Sequence, residues 1–249
     1  MSAFIRLPIT SAASLGTIPA NDIRFFDLYE QGTYDHWIFN RGTPANLTGR
    51  TNGRLLTLQS TAPVYSGSFL TLPRVDGQAL LTDRDDSATA TDTLFAVVRA
   101  SADLASNSMQ IMGSLGATTG YGIFFHSTAF PKVLRVTARA SVFANDLAGD
   151  SSNSAVWVFV AMARNFSGAT KLITSLRGGG LTYNLSAAAT YTPSAGKISL
   201  GNAYTTALGA GGMDVAEFGI FDRALTGAEL QSLYVRRKRE MAKVGISVL

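Results

Sequence analysis

From Trp37 onward the chain is a succession of short apolar segments cut apart by turn residues, and this pattern limits the fold more than any other feature. A surface helix needs roughly 10–12 residues to bury a face, so segments this short read as strands. Leu55–Leu58, Gly67–Leu72 and Gln78–Leu81 are such segments, punctuated by Asn52-Gly53, Pro73 and Asp76-Gly77, all favourable to turns. Thr93–Ala100 and Ala155–Arg164 are apolar at both odd and even positions, so both faces must be covered and both strands are expected at the centre of a sheet. Val133–Arg139 alternates instead: Leu134, Val136 and Ala138 point one way and Arg135, Thr137 and Arg139 the other, as in a half-exposed strand. Lys171–Leu176 and Leu181–Leu185 flank Arg177-Gly178-Gly179-Gly180, whose glycines accept the positive φ of a tight hairpin. Lys197–Leu200 and Met213–Phe221 add two more strands.

One helix is expected. Thr226-Gly227-Ala228-Glu229 is a capping box, in which Thr226 bonds the Glu229 amide and Glu229 reaches back, with Leu225 and Leu230 as the hydrophobic staple. Leu230, Leu233, Tyr234 and Met241 follow a helical stripe that suits packing on the surface of a sandwich. The fold class is therefore all-β, a two-sheet antiparallel β-sandwich with one short C-terminal helix. With 249 residues, 46% of them hydrophobic, one large sandwich has an ample core. The division is an N-terminal arm or edge strand over 1–21, the sandwich over 22–235, and a basic and apolar tail over 236–249. There is no cysteine, so neither disulfides nor thiolate zinc hold the fold. Pro8, Ser11 and Ser14 interrupt Met1–Ala20, which lacks the apolar core of a signal peptide, and no apolar run is long enough for membrane insertion.

Location of charge matters more than its total. Of the net +4, Glu229–Leu249 carries +3, from Arg236, Arg237, Lys238, Arg239 and Lys243 against Glu229 and Glu240. A nucleic-acid binder spreads its basic residues over the folded body, so this nearly neutral body with a basic end argues against nucleic acid. The end itself has two readings of equal weight. Arg236, Arg237, Lys238, Arg239, Ile246, Val248 and Leu249 would contact a partner, with Val244–Leu249 adding a strand to a neighbour's sheet; or the cations serve only the negative end of the helix dipole.

Gly212–Leu230 resembles the closing signature of laminin G-like jelly-roll domains in the concanavalin A-like superfamily. The matching positions are Met213, Asp214, Phe218, Ile220, Phe221, Arg223, Ala224, Leu225, Thr226, Glu229 and Leu230. Upstream the likeness is one of order: Thr91–Arg99 resembles the strand that opens the family core and Ile198–Asn202 its Leu-x-Ile-Gly segment. Ala155–Arg164 keeps Trp157 and Ala161 but lacks the family's histidines. The resemblance implies two stacked, curved antiparallel sheets, in a superfamily that holds lectins, adhesion modules, glucanases and phage or secreted structural proteins. Fold does not choose among these.

Glucanases of this fold resemble one another in a Glu-x-Asp-x-x-Glu strand, since retaining hydrolysis needs two carboxyl groups about 5 Å apart. The chain has only Glu30, Glu217, Glu229 and Glu240, no two on alternate positions of one strand, so a hydrolase is the weakest reading. His36 and His126 are the only histidines, and both read as packed or surface residues rather than bases. Asp83-Arg84-Asp85-Asp86 with Asp92 offers oxygen ligands to calcium, but no spacing fixes a coordination geometry, and a solvated Asp-rich loop is the favoured reading. Tyr65, Tyr121, Tyr191 and Tyr204 offer ring faces to a sugar, although a sandwich more often buries such residues.

The expectation is a non-catalytic structural or adhesive module of a multi-subunit particle: a phage virion decoration, tail or fibre protein on a virion or extracellular particle surface. Its partners are other subunits, in a homo-oligomer. Its motives are the absence of signal peptide and cysteine, the Ala/Ser/Thr/Gly-rich sandwich, and apolar arms at both ends. The alternative is a carbohydrate-binding lectin-like module for surface glycans, with or without calcium.

Overall fold

The computed structural model describes residues 31–39, 47–60, 62–73, 77–100, 109–126, 133–138, 143–146, 156–186, 190–203 and 212–249, with the backbone alone for 126, 133–138, 143–146 and 184–186. The N-terminal arm 1–21, Asp22–Tyr29, Glu30, Arg139 and Tyr204 lie outside the described residues.

Among the described residues fifteen strands and one helix follow in chain order: β1 (Thr33–Ile38), β2 (Thr57–Leu58), β3 (Val64–Ser66), β4 (Phe69–Pro73), β5 (Gln78–Asp85), β6 (Thr91–Ala100), β7 (Met109–Gly113), β8 (Tyr121–His126), β9 (Val133–Ala138), β10 (Phe143–Asp146), β11 (Val158–Asn165), β12 (Lys171–Arg177), β13 (Gly180–Ser186), β14 (Lys197–Asn202), β15 (Gly212–Phe221) and α1 (Gly227–Ala242). They form two antiparallel sheets. The first runs β13-β12-β11-β6-β15-β4-β3; beyond the stretch where β15 pairs with β4, its second half takes β1 instead. The second runs β10-β9-β8-β7-β14-β5-β2. This is the expected sandwich.

The two strands that read as covered on both faces, β6 and β11, lie side by side inside the first sheet. Leu94, Ala96 and Val98 of β6, with Val158, Val160 and Met162 of β11, face the second sheet and join Trp37, Leu80, Ile111, Ile123, Leu200 and Phe218 in the main core. The opposite face of the same strands, with Phe95, Val97, Phe159 and Ala161, builds a second core under α1, where Leu225, Leu230, Leu233 and Met241 cover it. Each such fully buried side chain contributes about 1.5–3 kcal/mol. The capping box is present as written in the sequence: Thr226 Oγ1 accepts from the Glu229 amide at 3.3 Å and Glu229 Oε2 accepts from the Thr226 amide at 2.7 Å.

The C-terminal end differs from a separate tail. α1 runs through the boundary at 235 to Ala242, and Arg237, Ile246 and Val248 are buried. Val248 forms a parallel bridge with Trp157, and the Leu249 amide donates to the Trp157 carbonyl at 3.0 Å. The apolar terminus thus satisfies its need for burial within its own fold, on the outer face of the first sheet. Among the described residues no helix is long and apolar enough to cross a membrane.

Candidate functional site

One end of the sandwich carries an extended polar network. Here the N-terminal end of β1, the C-terminal end of β5, the start of β6, the end of β11 and the end of β15 converge. Arg164 and Asp92 are direct cross-strand partners, both on the face that looks into the main core. At such a position a lone charge would be prohibitively costly, so the two form a bidentate pair: Nε donates to Asp92 Oδ1 at 3.0 Å and Nη2 to Asp92 Oδ2 at 2.7 Å. Nη1 donates to Asp86 Oδ1 at 2.6 Å. All three side chains are fully buried. The Tyr121 ring lies 3.6 Å from the guanidinium carbon, with Phe166 and Tyr191 on other sides. Asp86 accepts further bonds from Ser114 Oγ at 2.8 Å, from the Ser194 amide at 2.9 Å and from the Tyr191 hydroxyl. Burial pushes the Tyr121 and Tyr191 phenols well above their ordinary range, with the neighbouring aspartates adding to it.

Arg84 carries this network outward. Its Nε lies 3.7 Å from Asp92 and its Nη1 donates to Asp222, which is half exposed. Beside it the Tyr34 ring is held between two guanidinium groups, Arg54 at 4.0 Å and Arg84 at 5.1 Å. The Tyr34 hydroxyl donates to Asp83, and Arg54 Nη1 donates to the other oxygen of Asp83 at 2.7 Å. Burial raises the Tyr34 phenol and the Asp83 contact raises it further. Asp83 is itself pushed up by partial burial, but the Tyr34 and Arg54 contacts outweigh that and hold its carboxyl below the usual range. Lys197 and Asp85 pair at 2.7 Å further along the same rim. The loop that positions Arg54 is tied down by Asp35, a buried carboxylate that accepts from the amides of His36, Thr51, Asn52 and Arg54 at 2.7–3.3 Å. The result is a rim in which Asp83 and Asp222 are exposed, Arg54 and Arg84 half-buried and Tyr34 buried beside them, fixed from beneath by a buried ion network.

This arrangement revises the reading of the acidic cluster. The segment Asp83–Asp86 is mostly strand, not a solvated loop, because β5 continues through Asp85, and the side chains of Asp86 and Asp92 are buried. The carboxylates turn to side-chain cations: Asp83 to Arg54, Asp85 to Lys197, Asp86 and Asp92 to Arg164. Among the described residues no group of three or more carboxylates and histidines is arranged to hold a metal ion. Of the four tyrosines, Tyr121 and Tyr191 are buried around Arg164, and Tyr65 packs partly buried against the main core.

Glu217 is closed to any substrate. A bulge between Val215 and Glu217 turns it to the outer face of the first sheet, beneath α1. There Arg237 Nη1 donates to Glu217 Oε1 at 3.0 Å and His36 Nε2 meets the same oxygen. Burial alone would raise this carboxyl; Arg237 and then His36 outweigh it and hold it below its ordinary value. The basic stretch is accordingly divided. Arg237 serves Glu217, Ile246 and Val248 pack inside, and Lys238, Arg239, Lys243 and Leu249 are exposed, with Arg236 half-buried. None of the rim residues except Asp83 and Arg84 stood out in the sequence, and those two stood out only as part of an Asp-rich segment read as a solvated loop or as ligands to calcium.

No family model matches the chain, and no curated protein matches it significantly. Solved structures do. The receptor-binding domain of botulinum neurotoxin D superposes with a TM-score of 0.61 at 11% identity, covering 84% of this chain and 54% of that one. The binding domain of Paraclostridial Mosquitocidal Protein 1 gives 0.62 at 11% identity, covering 84% and 53%. The binding domain of botulinum neurotoxin DC, in complex with SialylT, gives 0.59 at 14% identity, covering 84% and 52%. At these identities the likeness is one of fold, a jelly-roll sandwich, and the chain spans about half the length of the structures it matches.

Proposed function

We propose that this chain is a non-catalytic recognition module that binds carbohydrate, with the rim around Arg54 and Asp83 as its contact surface. One observation supports it above the others: a sandwich of the same fold as known binding domains presents a preorganised rim of planar charged groups at one end. Sugars are bound by such groups through hydroxyl contacts to carboxylate and guanidinium. A neighbouring structure is the botulinum neurotoxin D ligand-binding domain in complex with N-acetylneuraminic acid, so sialylated glycans are the first class to test. Glycan hydrolysis is disfavoured by the burial of Glu217 and by the engagement of Glu229 in the helix cap.

The alternative, a virion decoration, tail or fibre protein on a particle surface, draws no support from these likenesses. One of its motives, an apolar C-terminal arm, is answered by the burial of Ile246 and Val248 within the chain's own fold. The discriminating experiment is a glycan array with and without calcium, repeated with Arg54→Ala. Binding that falls at least about tenfold in the variant, at unchanged unfolding midpoint, is the expected result, because the exposed Arg54–Asp83 pair contributes only about 0–1 kcal/mol to stability. Absence of binding to every glycan in both conditions overturns the reading.

A further inference from the structure

The polar groups of the rim are not evenly oriented. In each of its three ion pairs the carboxylate side chain is the more exposed partner: Asp83 at 58% against Arg54 at 39%, Asp222 at 52% against Arg84 at 19%, and Asp85 at 71% against Lys197 at 42%. The reason lies beneath. Buried Asp92 draws Arg84 inward, to 3.7 Å, and the Tyr34 ring lies against the guanidinium groups of both Arg54 and Arg84. The arginines are held toward the interior, and the carboxylates stand above them.

The hydrogen-bond donors turn inward as well. In the loop that carries Arg54, the amides of Thr51, Asn52 and Arg54 donate to the buried Asp35 carboxylate, and that of Arg50 donates to the His36 carbonyl at 2.8 Å. The Asn52 side-chain nitrogen donates twice to backbone, to the Thr33 carbonyl at 2.9 Å and the Tyr34 carbonyl at 2.8 Å, so this exposed residue offers a ligand only its amide oxygen. The Tyr34 hydroxyl, Arg54 Nη1 and Arg84 Nη1 donate to carboxylates, Arg54 Nε is buried, and Lys197 Nζ is divided between Asp85 and the Asp83 carbonyl. A carboxylate oxygen that accepts one bond retains a second lone pair, so Asp83, Asp85 and Asp222 can still accept while they are paired. The surface therefore presents mainly acceptors outward.

Such a surface selects a ligand by its donors. The hydroxyls of a neutral sugar donate to carboxylates, whereas an acidic sugar sets a carboxylate of its own beside Asp83, Asp85 and Asp222 with few donors left to meet it. Like charges placed together at a contact are costly, and that cost is a means of discrimination. We propose, resting on the carbohydrate reading, that the rim takes glycans without acidic groups, whose hydroxyls donate to Asp83, Asp85 and Asp222, and that it discriminates against sialylated ones. Sialylated glycans, the first class to test, are then the disfavoured member of each comparison.

The test is an array on which each oligosaccharide appears in a sialylated and a desialylated form, followed by titration calorimetry of the best pair with the full chain. The desialylated form should bind at least about tenfold tighter, and the gap should narrow as salt is raised, because screening weakens repulsion between exposed charges. Asp85→Asn with Asp222→Asn should lower affinity for the desialylated form at least about tenfold and shrink the preference, since each change weakens an acceptor. The unfolding midpoint should stay nearly unchanged, because both carboxylates are exposed. A sialylated form that binds as tightly as its desialylated partner, or a double variant that keeps full affinity, overturns the proposal and leaves the carbohydrate reading standing. If no glycan in either form binds, that reading falls and the proposal falls with it.

Discussion

Replacing Arg164 by Met tests whether the buried network at the rim end holds the sandwich together. The guanidinium makes two bonds to Asp92 and one to Asp86, and stacks on Tyr121. Methionine fills much of the volume, so the cost falls mainly on the aspartates. Asp86 keeps three donors, from Ser114, Tyr191 and the Ser194 amide. Asp92 keeps only distant ones, the Tyr121 hydroxyl at 3.5 Å and Arg84 at 3.7 Å, and is the group left stranded. Removing one partner of a buried pair costs about 3–5 kcal/mol, and the single stranded carboxylate places this variant near the middle, about 4 kcal/mol. For a chain of this size that lowers the melting temperature by roughly 8–16 °C. Urea unfolding followed by Trp fluorescence should show a lower midpoint at unchanged slope. Adding Asp92→Asn should recover part of the loss, because a neutral amide is cheaper to bury than an unpaired charge. A loss below about 1 kcal/mol for Arg164→Met, or no recovery in the double variant, would refute the view that charge stranding sets the cost.

Two further outcomes are expected. Glu217 has a folded pKa below its ordinary value of 4.5, so its contribution is fully present above that value and is lost as pH falls through the folded pKa. Acid titration of stability should therefore steepen below about pH 4.5, and Glu217→Gln should flatten that decline while costing stability at neutral pH by leaving Arg237 buried beside an amide. Gly219→Ala places a Cβ into the ring of Phe95, which is itself buried under Phe159 and Phe221; overpacking of about 1–3 kcal/mol should appear by calorimetry, and a neutral result would show that the ring can move aside.

Much of the scaffold was legible because it rests on local patterns. Two-sided apolarity placed β6 and β11 at the centre, the glycine run placed the β12–β13 hairpin, and Thr226 with Glu229 placed the start of α1. β1 was missed because Thr33–Ile38 mixes Asp and His with its aromatics, and its strand character comes from pairing with β15. The rim was missed for a related reason. Arg164 at the end of one apolar strand and Asp92 at the head of another look like unrelated boundary charges, and only the antiparallel register sets them opposite each other. Arg54 and Asp83 lie 29 residues apart and meet through a loop whose shape is set by the buried Asp35 carboxylate. The basic stretch misled in the opposite direction, since its continuity in sequence conceals that α1 turns Arg237 inward and its neighbours Lys238 and Arg239 outward.

The placement of burial narrows where this domain can meet anything else. The first sheet is covered on both faces, by the second sheet within and by α1 with the 246–248 segment outside, so its central strands present no face to a ligand. Beyond those faces the sheet has its end, where the rim stands, and its terminal strands β3 and β13. The rim is also tied down from within. Arg84 reaches from Asp222 at the surface to Asp92 in the interior, and Asp35 pins the loop that carries Arg54. Side chains held this way lose little further conformational entropy when a ligand is bound, which is the physical advantage of building a recognition surface on top of a buried ion network rather than on a free loop.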